Sequence, residues 1–339
     1  MPAEELHMGS RIATPRKVEA FGRSSLTEDK VKLLAYLAAE GHLSNGFILF
    51  SNADALIVDD FAGAIKSFDS NLLMKEHTEH SYRIVQHRKR VISKPSERNK
   101  QGQFTTGPQF KTNCSSLMQW LKEIGMYGKL AYQRELPNTV FTLNKHHTRL
   151  LLNRLFSCDG CIHKEGQHYW KVSYSSSSKK MAQQIQHLLQ KFGIIAYMRI
   201  KKTTHKPNYE LIIRGEFVHA YLNEIGFYGK KEQKVAQALT QVAQVTRNTN
   251  IDTIPREIWD LYQPDNWAEI GRKMHYSHPK ALRESQRYCP SRQKLLKIAK
   301  ADQNQLIEQL ACSDIFWDEI MAIEVIEEPT TVYDITVPT

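Results

Sequence analysis

Two carboxylates stand out because each closes an apolar run and is followed at once by glycine. The runs are Leu33-Leu34-Ala35-Tyr36-Leu37-Ala38-Ala39-Glu40-Gly41 and Leu151-Leu152-Asn153-Arg154-Leu155-Phe156-Ser157-Cys158-Asp159-Gly160. An apolar helix tolerates a terminal carboxylate when that group faces a partner, a metal or water. Two such helices packed about a two-fold axis would bring Glu40 and Asp159 out together at one end of the pair. Close approach needs small faces, which Ala35, Ala38 and Ala39 supply on one side and Ser157 and Cys158 on the other. Carboxylates that close repel each other unless a cation neutralises them, and the hard oxygen donors favour Mg2+ over zinc. Metal-assisted phosphodiester hydrolysis needs this arrangement, with the ions activating water and stabilising both the attacking and the leaving oxygens.

A second repeat keeps the same order. Leu121-Lys122-Glu123-Ile124-Gly125-Met126-Tyr127-Gly128-Lys129 recurs as Leu222-Asn223-Glu224-Ile225-Gly226-Phe227-Tyr228-Gly229-Lys230, each downstream of one acid. The chain therefore runs twice through an acidic helix, an intervening segment and a glycine-rich turn.

The elements that must position the acids can be read around them. Ser25 and Glu28 form a capping box ahead of Val31, Leu33, Leu34 and Leu37, so the first acidic helix is expected to start there. Strands follow at Gly46 to Phe50, Tyr82 to Val85 and Arg90 to Ile92, with a helix between Phe61 and Phe68. The second copy predicts helix 146–159, strand Tyr169 to Tyr174, helix 178–191, strands Ile195 to Ile200 and Tyr209 to Ile213, and helix 216–225. This is an α+β fold, an αββαββα unit taken twice with four strands per copy. Beyond residue 235, three short helices at Ala268 to Met274, His278 to Leu282 and Ser291 to Lys300 have the look of a helix-turn-helix. Trp317 to Pro338 is strand-like.

Composition narrows the partners. With 339 residues, 41% of them hydrophobic, the chain supports two or three packed units. A net charge of +10 suits a polyanion. No apolar run is long enough to span a bilayer, so no membrane partner is expected and a cytoplasmic setting is the default. Cys158 and Cys161 form a CxxC without a second ligand pair at finger-like spacing, and we read them as ordinary thiols.

The two acidic runs resemble the signature helices of single-chain LAGLIDADG homing endonucleases. The EIG repeats, Lys191-Phe192-Gly193-Ile194 and Asp252-Thr253-Ile254-Pro255 resemble the version carried in inteins. Trp317-Asp318-Glu319-Ile320 through Val332-Tyr333-Asp334-Ile335-Thr336-Val337-Pro338 resembles the strand block that re-enters the splicing domain in inteins of replicative DNA helicases, and Leu6 to Arg16 resembles the strand before the endonuclease.

That resemblance implies saddle-shaped antiparallel sheets along the DNA major groove, with Glu40 and Asp159 binding Mg2+ and cutting one strand each of a long asymmetric site. It implies a monomer with internal pseudo-symmetry, acting on double-stranded DNA, nucleoid-associated when bound, and needing no protein partner. The implied organisation is splicing-domain strands at 1–22, LAGLIDADG halves at 23–135 and 136–235, a small helical domain at 245–312, and further splicing strands at 313–339. Base readers are expected on the strands, from Arg83, Gln86, Arg88, Lys94, Gln167, Lys171, Arg199, Lys201 and Lys202. The resemblance also implies a basic residue beside each acid; matching the copies sets Lys111 opposite Arg214, and Lys94 competes for the first role. A target in an inteinless helicase gene follows from the same logic.

Two departures qualify the expectation. The chain starts Met-Pro-Ala and stops at Pro338-Thr339, without the terminal nucleophile and Asn that splicing requires, so it is not expected to splice. Arg154 falls where the first run has Ala35, a crowded position that could distort the second centre. The rival reading is a recognition module, regulator, nickase or maturase-like protein with weakened or lost cleavage.

Overall fold

The computed structural model describes residues 3–23, 26–86, 115–165, 169–204, 206–242, 251–325 and 331. They fall into two units, Lys17–Arg247 and a discontinuous one that joins Met1–Arg16 to Asn248–Thr339.

In the discontinuous unit, strand β1 (Arg11–Pro15) pairs antiparallel with the last strand, β10 (Ile315–Glu319), setting Ala13 opposite Trp317. Between them in sequence lie helices α8 (Ile258–Leu261), α9 (Trp267–Lys273), α10 (Arg292–Asp302) and α11 (Gln305–Cys312), and a 3-10 helix at Pro279–Arg287. The three short helices expected from sequence are present, the middle one as the 3-10 helix, and α8 and α11 are additional. Their apolar faces meet around Trp259, Tyr262, Ile270, Leu282, Leu295 and Ile298. Asp252, only 2% exposed, ties the unit together: its two oxygens accept from Arg16 Nε at 2.6 Å and Arg292 Nε at 2.7 Å. Of the strand-like stretch read from Trp317 to Pro338, β10 takes in Trp317 to Glu319 and residues 320–325 carry no strand, while 326–330 and 332–338 lie outside the described residues.

The other unit repeats one plan twice. The first copy runs α1 (Glu28–Glu40), β2 (Gly41–His42), β3 (Ile48–Ser51), α2 (Ala55–Phe68), β4 (Leu72–Thr78), β5 (Ser81–Gln86) and α3 (Ser116–Glu123). The second runs α4 (Lys145–Asp159), β6 (Gly160–Glu165), β7 (Tyr169–Ser176), α5 (Lys179–Gln190), β8 (Tyr197–Lys201), β9 (Asn208–Ile213) and α6 (Glu216–Glu224), with α7 (Gln233–Val242) behind it. The sheets have matching orders, β2-β3-β5-β4 and β6-β7-β9-β8, antiparallel throughout. The αββαββα expectation therefore holds in both copies. Strands β2, β4 and β6 went unread because their alternation is weak or short. Helix α1 begins behind Thr27; Ser25, proposed as its cap, lies outside the described residues, as does the strand at Arg90 to Ile92.

Helices α1 and α4 pack along each other at the centre of this unit. Leu33, Leu34, Leu37, Leu151, Leu152 and Leu155 are at most 1% exposed, and Ala35 and Ala38 are buried with them. Burying each leucine contributes roughly 1.5–3 kcal/mol, which holds the helix pair firmly in the core. Among the described residues, no helix is long and apolar enough to cross a membrane.

Candidate active site

The acid-glycine pairs mark where each central helix turns directly into a strand. The Gly41 N–H still bonds to Leu37 O, and the Gly160 N–H to Phe156 O, while both glycines take extended backbone into β2 and β6. A Cβ on Gly41 would sit 2.5 Å from Leu37 O, and one on Gly160 would sit 2.4 Å from Phe156 O. Glycine is needed there by close approach to the helix's own last turn, and it fixes the preceding acid at the helix end.

Glu40 and Asp159 thus stand at the same end of the packed pair, and each acts on its surroundings as a partly buried acid. Burial pushes the Glu40 carboxyl up to about 7, with Asp159 adding to the rise and a hydrogen bond from Asn52 opposing it. Burial raises Asp159 to about 6 against the opposing charges of Arg134 and Lys231. Their second partners differ: Asn52 Nδ2 donates to Glu40 Oε2 at 2.8 Å, whereas the buried Tyr174 hydroxyl lies 3.5 Å from Asp159 Oδ2. A cleft of ≈ 710 Å³ opens beside Glu40, lined also by Asn52, Asp54, Ser157, Cys158 and Lys231.

Two cations close the helix ends. Arg134, 7% exposed, donates to the carbonyls of Ala38 at 2.7 Å, Ala39 at 3.1 Å and Gly41 at 2.6 Å. Lys231 Nζ donates to Ser157 O at 2.6 Å and Cys158 O at 2.8 Å. Each satisfies carbonyls that a helix end leaves free and opposes its negative pole. Burial lowers the proton affinity of both side chains, and the neighbouring acids oppose that fall. Among the described residues, Arg134 and Lys231 are cations set at the ends of the two acidic helices; neither is among Lys111, Lys94 and Arg214, the cations expected beside the acids. Lys111 and Lys94 lie outside the described residues, and Arg214 instead pairs with Glu165 at 3.0 Å. The signal was faint: Arg134 and Lys231 both follow the tyrosine-glycine turn, but at unequal distances from it. Asn52 had no signal at all.

Arg154 does not disturb the helix pair. Its Nε bonds to Asp60 Oδ2 at 2.8 Å and its guanidinium lies 4.0 Å from the centre of the Tyr228 ring. Asp60, on α2 of the first copy, also accepts from Lys32 and from the Tyr36 hydroxyl, each at 2.7 Å. Burial alone would raise Asp60, but the three donors hold its carboxyl below the ordinary value. The crowded position is filled by an ion pair that joins the two copies.

The expected base readers separate on inspection. Lys171 is a correction: it is 8% exposed and paired with Glu165 at 3.2 Å, because β7 is the most buried strand of its sheet. Gln86 donates to Asp69 Oδ2 at 3.2 Å. Arg83 is exposed and lies over the Phe47 ring, while Arg199, exposed, pairs with Glu210. Lys201 and Lys202 are exposed at the end of β8. Arg88 and Gln167 lie outside the described residues, as Lys94 does.

The site is a duplicated αββαββα unit with an acid from each copy meeting at the end of a central helix pair. Residues 147–226 match the family described as the LAGLIDADG-like domain. The chain is similar to parts of replicative DNA helicases DnaB, 28% identical over 99% of its length to that of Synechocystis sp. and 27% over 99% to that of Rhodothermus marinus. It spans only 38% and 35% of those proteins. The protein RecA of Mycobacterium tuberculosis is 26% identical over 72% of this chain and 31% of its own. Among solved structures, the homing endonuclease I-WcaI bound to its DNA recognition sequence aligns with 63% of this chain and 88% of its own, at 11% identity and a TM-score of 0.39.

Proposed function

We propose that the chain is a site-specific DNA endonuclease that makes a metal-dependent double-strand break, its two centres built around Glu40 and Asp159. The convergence of two partly buried acids, one from each copy, carries this reading. Such a pair costs stability when ionised, and a structural protein gains nothing from it.

Glu40 and Asp159 fit a divalent ion of the Mg2+ class. They offer hard oxygen donors, with Asp159 raising the proton affinity of Glu40, while burial keeps the adjacent Cys158 thiol protonated and so unfit as a soft ligand. Bound there, the ion would supply Lewis-acid stabilisation of a phosphodiester under attack. Asn52 orients the Glu40 carboxylate. Lys231 and Arg134 hold the helix ends that carry the acids, and their charge offsets that of an incoming phosphate. Arg83, Arg199, Lys201 and Lys202 would contact double-stranded DNA. The helices of the discontinuous unit would add a second DNA contact, and its β1-β10 ladder would be what remains of a splicing fold. A helicase gene lacking the corresponding insertion is the natural target, and the chain would work as a cytoplasmic monomer.

The test is cleavage of a supercoiled plasmid carrying the uninterrupted helicase-gene junction, with Mg2+ or with chelator, by the wild type, Glu40→Gln and Asp159→Asn. The expected result is Mg2+-dependent linear product from the wild type and none from either variant. Tight binding of the junction without any strand break would reject the reading in favour of a recognition module.

A further inference from the structure

Arg134 and Lys231 need a backbone held still, and the structure shows what holds it. Helix α2 is capped by Asp54 and helix α5 by Ser178, the same place in the two copies. Each cap bonds to its own helix in the ordinary way: Asp54 Oδ1 accepts from Leu56 N at 3.1 Å, and Ser178 Oγ from Met181 N at 3.2 Å. Each is itself braced by the side chain two residues before it, Asn52 for Asp54 at 2.8 Å and Ser176 for Ser178 at 3.1 Å.

Each cap also makes one bond that the helix does not need. Asp54 Oδ2 accepts from Lys230 N at 2.7 Å, and Ser178 Oγ donates to Arg134 O at 2.5 Å. Both bonds cross between the copies. Asp54 belongs to the first and grips the tail of the second, while Ser178 belongs to the second and grips the tail of the first. The side chains then return to their own copy, Lys231 to the end of α4 and Arg134 to the end of α1.

Neighbouring residues are shaped to this crossing. Gly229, at φ +72°, lets the chain pass so close to Asp54 that a Cβ there would lie 2.5 Å from Oδ2. Beyond Arg134, the Leu136 N–H and C=O both bond to Gln184 of α5, at 2.7 and 2.9 Å.

We propose that Asp54 and Ser178 are positioning residues that clasp the tails crosswise, so that each copy sets the cation serving the other copy's acidic helix. The proposal rests on the nuclease reading for its consequence in catalysis. It places the two centres under mutual control: docking of the copies, not folding of either one, completes both.

The test uses the full chain and three substitutions. Ser178→Ala removes the bond to Arg134, Ser178→Thr keeps a hydroxyl there, and Asp54→Asn has one acceptor oxygen where two N–H groups each need one. Single-turnover cleavage of an end-labelled duplex carrying the uninterrupted helicase-gene junction is read strand by strand, with DNA affinity measured separately. Ser178→Ala and Asp54→Asn should slow the chemical step about 10- to 100-fold at unchanged DNA affinity. Ser178→Thr should restore the rate, which a general loss of packing would not allow. Amide hydrogen exchange supplies a readout independent of cleavage. Asp54→Asn should speed exchange in residues 226–232 and leave 130–137 protected, and Ser178→Ala should do the reverse.

If the wild type fails to cut the duplex while exchange follows this crossed pattern, the nuclease reading falls and the clasp stands. Exchange unchanged in the tails, or cleavage by Ser178→Ala at the wild-type rate, overturns the clasp.

Discussion

Removing the charge from Glu40 and Asp159 should stabilise the protein above neutral pH, and the size of the effect follows from their burial. Each tenfold change in proton affinity corresponds to about 1.4 kcal/mol. Asp159 moves from an ordinary 3.8 to about 6, worth about 3 kcal/mol. Glu40 moves from 4.5 to about 7, but solvent reaches part of it, and screening reduces its share to about 1–2 kcal/mol. Both acids hold protons more tightly in the folded chain than in the unfolded one. Their contribution is fully present below pH 4, shrinks as pH rises through the two folded values, and is gone above about 7. Part of it is already lost by pH 5, where the unfolded acids are ionised, leaving about 2–3 kcal/mol to be lost between pH 5 and pH 8; at about 2–4 °C per kcal/mol for a unit of this size, the melting temperature should fall by about 4–12 °C over that range. Thermal melts of the wild type and the double variant Glu40→Gln/Asp159→Asn, in chelator at both pH values, isolate this term. The variant should melt higher than the wild type at pH 8 and by a smaller margin at pH 5, and Mg2+ should raise only the wild type. An equal fall between pH 5 and pH 8 in both proteins would show that the acids are not held as the structure indicates.

Further outcomes can be checked with ordinary variants. Asp60→Ala leaves Arg154 buried without its carboxylate and should cost about 3–5 kcal/mol in chemical denaturation, more than Arg154→Met, which leaves Asp60 with Lys32 and Tyr36. Lys231→Ala should lower the cleavage rate at least about tenfold, with the folded state intact by circular dichroism. Gly229→Ala, strained at positive φ and pressed against Asp54, should cost about 1–3 kcal/mol and slow cleavage in parallel. In the discontinuous unit, Asp252→Ala takes from Arg16 and Arg292 the buried carboxylate they share and should lower that unit's unfolding transition by about 3–5 kcal/mol, leaving the other unit's transition in place.

The acids were legible because their signal is local. A carboxylate at the end of an apolar helix and a glycine forced by the helix's own carbonyl are both written within ten residues, twice. The αββαββα order was legible for the same reason, through amphipathic periods such as Met181, Ile185 and Leu189 on α5. The cations were not. Arg134 and Lys231 reach the helix ends from connectors whose lengths differ between copies, so aligning the repeats could not pair them. Arg154 looked like a defect because its partner, Asp60, lies 94 residues away in sequence. Lys171 looked like a groove residue because alternation along β7 fails where the strand is buried on both sides.

The ion pair between Asp60 and Arg154 also acts as a key. Arg154 stands six residues before Gly160, and Ala35 stands six before Gly41; Asp60 stands six after its cap Asp54, and Gln184 six after Ser178. Two first copies placed together would set Asp60 against alanine, and two second copies would set Arg154 against glutamine. Only a first copy docked on a second puts the carboxylate against the guanidinium. The halves are therefore not interchangeable parts. An engineer who exchanges one half for another must carry the matching charge with it or leave the seam without the ion pair that joins the two copies.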